Sequence, residues 1–229
     1  MTQSMHVMIL AAGYGRRIGA NTASPKPLIR INHHYLIEHH LIALQKAGFQ
    51  NIVINVSAHC QKIQDILGNG AQYGLNIIYS YEHPTPLGTG GGIYNALPLL
   101  DHQPFLVISA DIWTDYPFHT LRTHNLATQD LVHLVLVNNP AFHPQGDFHL
   151  AQGRLCTNTT APKYTFANIG IYHPDLFRHF TPAPAGNRTP IAPLLQEAIR
   201  QQRATGEHYT GQWSNINTAT QLTEAQRCT

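Results

Sequence analysis

Charge is what this sequence has least of. Asp, Glu, Lys and Arg together make up 11% of the 229 residues, against roughly 25% in an ordinary soluble protein. The 14 Lys and Arg stand against 12 Asp and Glu, a formal charge of +2, and no dense basic patch of the kind that binds nucleic acid occurs. Cysteine is equally sparse. Cys60, Cys156 and Cys228 form no C-x-x-C pair, which excludes a disulfide framework and fits a reducing compartment. No apolar stretch approaches the ~20 residues that span a bilayer. No basic segment precedes the first apolar run as it would in a signal peptide. These absences predict a cytoplasmic protein with neither a membrane nor a nucleic-acid partner. A Walker phosphate loop is missing too, because no Gly-Lys-Ser/Thr follows a glycine turn.

A hydrophobic fraction of 43% is enough for a sizeable core, and 229 residues suit one domain, with or without a small insertion. The 16 His are scattered and read as a preference for polar side chains at the surface over any metal role. They predict a net charge that climbs steeply below neutrality. The organising stretch is Val7-Met8-Ile9-Leu10-Ala11-Ala12-Gly13-Tyr14-Gly15-Arg16-Arg17, followed by Pro25-Lys26-Pro27-Leu28. Val7 to Leu10 reads as a buried strand. Small residues and two glycines then let backbone N–H groups approach an anion with no Cβ in the way. Arg17 and Lys26 add fixed positive charge. A dinucleotide-binding turn would need a third glycine where Ile18 stands. An ordinary strand-to-helix turn with incidental glycines stays open on the glycines alone.

Strands are expected at 51–56, 75–81, 105–108, 131–137 and 164–172, a hairpin over 147–156, and a last strand over 209–216. Helices are expected at 35–47, closed by Gly48, at 61–67, from the glycine run through Leu97, at 190–203 and at 218–227. The opening alternation predicts a parallel sheet with right-handed crossovers. Asp111 follows a strand, where open α/β sheets hold their ligands. The stretch 181–189 is linker-like.

Four groups of residues carry a family resemblance. They are Leu10-Ala11-Ala12-Gly13-x-Gly15-x-Arg17 with Pro25-Lys26-Pro27-Leu28, Leu87-Gly88-Thr89-Gly90-Gly91-Gly92-Ile93, Ala110-Asp111-Ile112-Trp113-Thr114-Asp115-Tyr116, and Phe166-Ala167-Asn168-Ile169-Gly170. The chain resembles the sugar-1-phosphate nucleotidyltransferases nearly end to end. Trp113-Thr114-Asp115-Tyr116, and Gly206-Glu207-His208-Tyr209 with Trp213, are similar to the branch that uridylylates N-acetylmuramate 1-phosphate in cell-wall recycling. The resemblance implies a Rossmann-like α/β three-layer sandwich with a mostly parallel central sheet and a small β-rich sugar-binding insertion. Residues 1–229 form a single domain in that reading, with a nucleotide-binding half over 1–115 and a sugar-phosphate-binding half over 116–229. It also implies Mg²⁺, a nucleoside triphosphate and a sugar 1-phosphate as partners, and a monomer or homodimer.

Both substrates of nucleotidyl transfer are anionic, so the protein must supply cations and geometry. Arg17 is expected to clamp the leaving pyrophosphate side, and Lys26 to act as a point charge on phosphate. Asp111 is the expected Mg²⁺ carboxylate. Ala11, Ala12, Gly13, Gly15, Asn55, Glu82, Gly88 and Thr89 are expected around the nucleotide, with the glycine run offering a helix N-terminus to anions. Ser109, Trp113, Asp147 and Asn168 are expected at the sugar phosphate, with Lys163 a looser candidate. The resemblance breaks at Trp213-Ser214-Asn215-Ile216-Asn217-Thr218, where the family has Trp-x-Asp-x-Gly-Thr. Asn215 then stands where the second metal carboxylate is expected. Ser109 likewise replaces the usual Asn, and Gly19-Ala20 the usual Arg-Pro. A thymidylyl- or guanylyltransferase, and a nucleotide-binding homologue with weakened turnover, stay open beside the uridylyltransferase.

Overall fold

The computed structural model describes residues 5–13, 25–57, 60–83, 85–184 and 187–227. The chain enters on β1 (Val7–Leu10) and, beyond the turn, makes a short ribbon of β2 (Arg30–Ile31) and β3 (His34–Tyr35). Helix α1 (Leu36–Lys46) begins where Tyr35 N–H donates to the Glu38 carboxylate at 2.6 Å. This reciprocal cap satisfies a donor the helix cannot. Gly48, with φ of +86°, ends it by donating its N–H to the Gln45 carbonyl at 2.9 Å. There follow β4 (Asn51–Val56), α2 (Cys60–Leu67), β5 (Asn76–Tyr81), α3 (Gly88–Ala96), β6 (Phe105–Ser109), β7 (Ile112–Thr114) and the single turn α4 (His119–Arg122). The second half carries β8 (Val132–Val137), β9 (Phe148–Ala151), β10 (Arg154–Cys156), β11 (Lys163–Tyr172), α5 (Ala192–Arg200), β12 (Ala204–Tyr209), β13 (Trp213–Asn215) and α6 (Ala219–Arg227).

The main sheet has nine strands in the order β5-β4-β1-β6-β11-β8-β12-β10-β9. Pairings from β5 through β6 are parallel, as the opening alternation predicts. Beyond β6 the expectation of a mostly parallel sheet fails. Strand β11 runs antiparallel to β6 and β8, and only β8 with β12 is parallel again. The β9–β10 hairpin turns on Gln152 and Gly153, both at positive φ, which is the handedness a two-residue turn demands. It is not a separate layer. Strand β10 pairs with β12 and β9 pairs with β11, so the far end of the sheet folds back on itself.

Both sheet faces are covered, which explains continuous apolar runs in place of alternation. On one face Val7 and Ile9 meet Ile37, Leu41 and Leu44 of α1 and Ile63 of α2. On the other, Met8 meets Ile93 of α3 and Leu195 of α5. A third, smaller cluster of Ile31, Leu36, Trp113, Ile216 and Ala225 seats α6 and the β2–β3 ribbon beside the sheet. The expected last strand over 209–216 is in fact two pieces: β12 ends at Tyr209, and β13 pairs antiparallel with β7 in a sheet of its own.

Candidate active site

Parallel register lines up the carboxyl ends of four strands. Leu10 lies level with Asn55 on one side and Ser109 on the other, and Asn55 lies level with Ser80. A cleft opens above this row, lined among others by Ala11, Ala12, Gly13, Lys26, Asn55, Glu82, Gly88, Thr89, Ser109 and Asp111. Ten expected site residues thus come together. Arg17 and Gly15 lie outside the described residues.

The floor of the cleft is a chain of buried hydrogen bonds. The Ala11 amide donates to Asn55 Oδ1 at 2.7 Å, and Asn55 Nδ2 donates to Glu82 Oε1 at 2.7 Å. Glu82 Oε2 accepts the Leu87 amide at 2.7 Å. Burial raises the Glu82 pKa, against hydrogen bonds from Leu87 and Asn55 and the positive charge of Arg188. Every carboxylate and carboxamide oxygen in this chain has a donor from the protein, and the Ala11 amide is spent on it. Glu82 and Asn55 therefore shape the floor. Gly92 makes room for them: a Cβ there would overlap Glu82 Oε1 and lie 2.9 Å from Asn55 Nδ2.

The glycine run differs in detail from its expected use. The amides of Gly90 and Gly91 both donate to the Thr189 carbonyl, at 2.9 and 3.1 Å, and the Thr189 amide donates to Leu87 O at 2.7 Å. A Cβ at Gly88 or Gly90 would strike Thr189 or Pro190 at 2.9 and 2.8 Å. So these glycines let a loop of the second half lie on the start of α3, and two of the helix's amides serve that loop instead of an anion. The docking brings Arg188 into the cleft wall. Sequence reasoning passed over Arg188, because it sits in a Pro- and Ala-rich stretch with no motif around it.

Lys26 lines the same cleft. Pro25 and the one-turn helix after it, with the Leu28 amide on Pro25 O at 2.9 Å, aim the side chain inward. The ammonium lies 3.2 Å from Asp111 Oδ2 and also donates to Asn217 Oδ1. Ser109 Oγ donates to Asp111 Oδ1 at 2.7 Å, and the Ile216 amide donates to the Asp111 carbonyl at 2.8 Å. Asn215 Oδ1 accepts from Asn217 Nδ2 at 2.6 Å. It is therefore Asn217, not Asn215, that meets Lys26.

Three residues expected at the sugar phosphate lie outside this cleft. Trp113 is 7% exposed and belongs to the small cluster with Ile31 and Ile216, so it is core instead of a pocket wall. Its place on β7, zipped to β13, turns its ring inward. Asp147 has both oxygens engaged, Oδ2 by the Phe166 amide at 2.8 Å and Oδ1 by His143 Nε2 at 3.0 Å. It folds its own loop. Asn168 has φ of +58° and sits where the register of β11 against β8 shifts. None of the three lines the cleft with Lys26 and Asp111. The two motifs that singled out the muramate branch prove to be one joint. Tyr116 O–H donates to Glu207 Oε1, Tyr209 O–H donates to Asp115 Oδ1, and the two rings meet edge to face at 5.0 Å.

A hard cation such as Mg²⁺ binds through one or two carboxylates completed by phosphate oxygens and water. Asp111 offers one such carboxylate at the cleft rim, so the residues fit a cation held largely by its substrate. Among the described residues no cluster of three or more His, Cys, Asp or Glu could hold a metal alone. No described helix is long and apolar enough to cross a membrane.

Residues 7–140 match the family of the MobA-like NTP transferase domain. The chain is 41% identical over 231 aligned residues to the N-acetylmuramate alpha-1-phosphate uridylyltransferase of Neisseria meningitidis, covering 97% of each. Two solved structures share the fold. One is the inositol-1-phosphate CTP transferase from T. maritima, at TM-score 0.79 and 15% identity over 99% of this chain and 97% of that one. The other is a UDP-glucose pyrophosphorylase with bound UDP-glucose, at TM-score 0.78 and 18% identity over 99% and 98%.

Proposed function

The chain belongs to the MobA-like NTP transferase domain family, and from that membership we propose that it makes UDP-N-acetylmuramate. It would transfer the uridylyl group of UTP to N-acetylmuramate 1-phosphate and release pyrophosphate. The observation that carries this reading is the convergence of Lys26, Asp111 and the Ala11–Gly13 turn at the carboxyl edge of the sheet, in a chain 41% identical to an enzyme of that name. In this reading residues 1–115 hold the nucleotide and 116–229 the sugar phosphate, in a cytoplasmic monomer or homodimer.

The sugar phosphate oxygen is already a nucleophile, so no protein base is required, and the barrier is repulsion between two anions. Lys26 offsets that repulsion, and Arg188 brings a guanidinium to the same cleft. From its motif alone, Arg17 would add a clamp on the leaving pyrophosphate. The Glu82–Asn55–Ala11 floor holds the turn rigid under the nucleotide, so its amides need no reorganisation as charge develops. Mg²⁺, when bound, neutralises triphosphate oxygens. Asp111 would hold it as the one carboxylate, Asn215 could offer only a neutral oxygen, and the nucleotide phosphates would supply most of the remaining ligands.

A second reading, nucleotide binding without turnover, has one observation in its favour: carboxamides at 215 and 217 where a second carboxylate would strengthen the metal site. A panel of UTP, TTP, GTP and CTP against several sugar 1-phosphates, followed by pyrophosphate release, separates the two. Release with UTP and N-acetylmuramate 1-phosphate alone supports the enzyme. UTP binding by calorimetry with no release supports the silent homologue.

A further inference from the structure

We propose that Asn217 is a positioning residue that sets the Lys26 ammonium in the cleft. An ammonium has only donors to give, so the carboxamide must present Oδ1 to Lys26, as it does. That choice leaves Nδ2 for an acceptor, and Asn215 Oδ1 supplies one at 2.6 Å. The amide is thus oriented from both ends. Its backbone is held as well. The Asn217 amide donates to Gln221 Oε1 at 2.8 Å, the Thr218 amide donates to the same oxygen at 3.0 Å, and both lie just before α6. The neighbouring Ile216 amide is tied to Asp111 O. Lys26 and Asp111 are therefore registered against one short segment, 215–217.

Neutrality is the point of this arrangement. Lys26 meets one carboxylate, Asp111, and one uncharged oxygen, Asn217. Two acceptors fix the long, flexible side chain, leaving one of its three N–H bonds for a phosphate. A carboxylate at 217 would fix it equally well but leave the group with net negative charge facing two anionic substrates. A residue with no acceptor would let the ammonium settle on Asp111 or swing into solvent. The role in turnover rests on the nucleotidyl-transfer reading, whereas the contact itself does not.

Two measurements on the full chain test this. First, Lys26 in the free protein is labelled with an amine-acylating reagent and quantified by mass spectrometry. Asn217→Ala is expected to speed labelling several-fold, while Asn217→Asp, which keeps the acceptor, protects Lys26 as the natural protein does. Second, kcat and KM for UTP are measured in a cycle of Asn217→Ala, Lys26→Met and the double variant. Asn217→Ala is expected to lower kcat about tenfold with KM changed less than about threefold, and to have no further effect on Lys26→Met, since residues acting as a unit are not additive. Asn217→Asp is expected to lower kcat despite its protected lysine. Unchanged labelling in Asn217→Ala overturns the proposal, as does a loss of kcat that persists at full size in the Lys26→Met background. A natural protein that releases no pyrophosphate refutes the enzymatic reading instead, and labelling then decides the contact alone.

Discussion

His40 lies on the inner side of α1, 2% exposed, with Nε2 2.9 Å from the Ile112 carbonyl on the strand just after Asp111. Burial pushes its pKa down to about 4, against the pull of that carbonyl, with His39 lowering it further and Asp111 raising it. The folded ring is therefore neutral and donates to Ile112, while the unfolded chain takes up a proton near pH ~6.5. The unfolded state binds more protons throughout the interval between the two values, so stability falls as pH drops from 6.5 towards 4 and levels off below. From these two pKa values the loss is roughly 2 kcal/mol by pH 5 and about 3 kcal/mol by pH 4, a large share of the 5–15 kcal/mol typical of a folded domain. The chain has 16 His, so the test is a difference. Urea unfolding of the natural protein and of His40→Gln, whose amide can still donate to Ile112, is followed from pH 7.5 to pH 4.5. The gap between them is expected to shrink, or reverse, by roughly 2.5 kcal/mol on the way down. A gap that stays constant with pH would refute the argument that burial keeps this ring uncharged.

Gly92→Ala sets a methyl group into the Glu82–Asn55 pair. It is expected to cost about 1–3 kcal/mol in urea unfolding and to weaken UTP binding in calorimetry, because the floor under the nucleotide must shift. Tyr116→Phe removes the hydroxyl that donates to the half-buried Glu207. It should lower stability by about 1 kcal/mol while leaving kcat for the transfer within twofold, since that joint lies outside the cleft.

Much of the nucleotide half was legible because its signals are local. Four apolar residues before two small ones and a glycine can hardly be anything but a buried strand feeding a turn. Phe105 to Ile108 likewise announces Asp111 as a strand-end residue. The motif at Pro25 brought Lys26 to Asp111 across 85 residues of sequence. What escaped was set by distant partners. Strand β12, Ala-Thr-Gly-Glu-His-Tyr, has no apolar alternation. It is a strand because Ala204 and Gly206 fit against β8 and because Glu207 finds His133 and Tyr116 there. These partners also pull the Glu207 pKa down, His133 first. Arg188 was invisible because nothing near it in the chain marks it, and only the glycines at 88 and 90 admit its loop. For Trp113, pocket wall and core both stayed open in the sequence because three residues of strand do not say which side faces the core, and α6 and β13 decide that from the far end of the chain. Asn217 stands in the sequence only as a departure from the family's glycine, and its role became visible through the lysine it holds.

The most direct test of the account is one reaction: the purified full chain, Mg²⁺, UTP and N-acetylmuramate 1-phosphate, followed by mass spectrometry of the nucleotide sugar and by pyrophosphate release. UDP-N-acetylmuramate and pyrophosphate are expected in equal amounts, with the rate of both lowered about a hundredfold, to a still measurable level, in Lys26→Met and in Asp111→Ala. Equal rates from the natural protein and these two variants, or no product from the natural protein at all, would contradict the account.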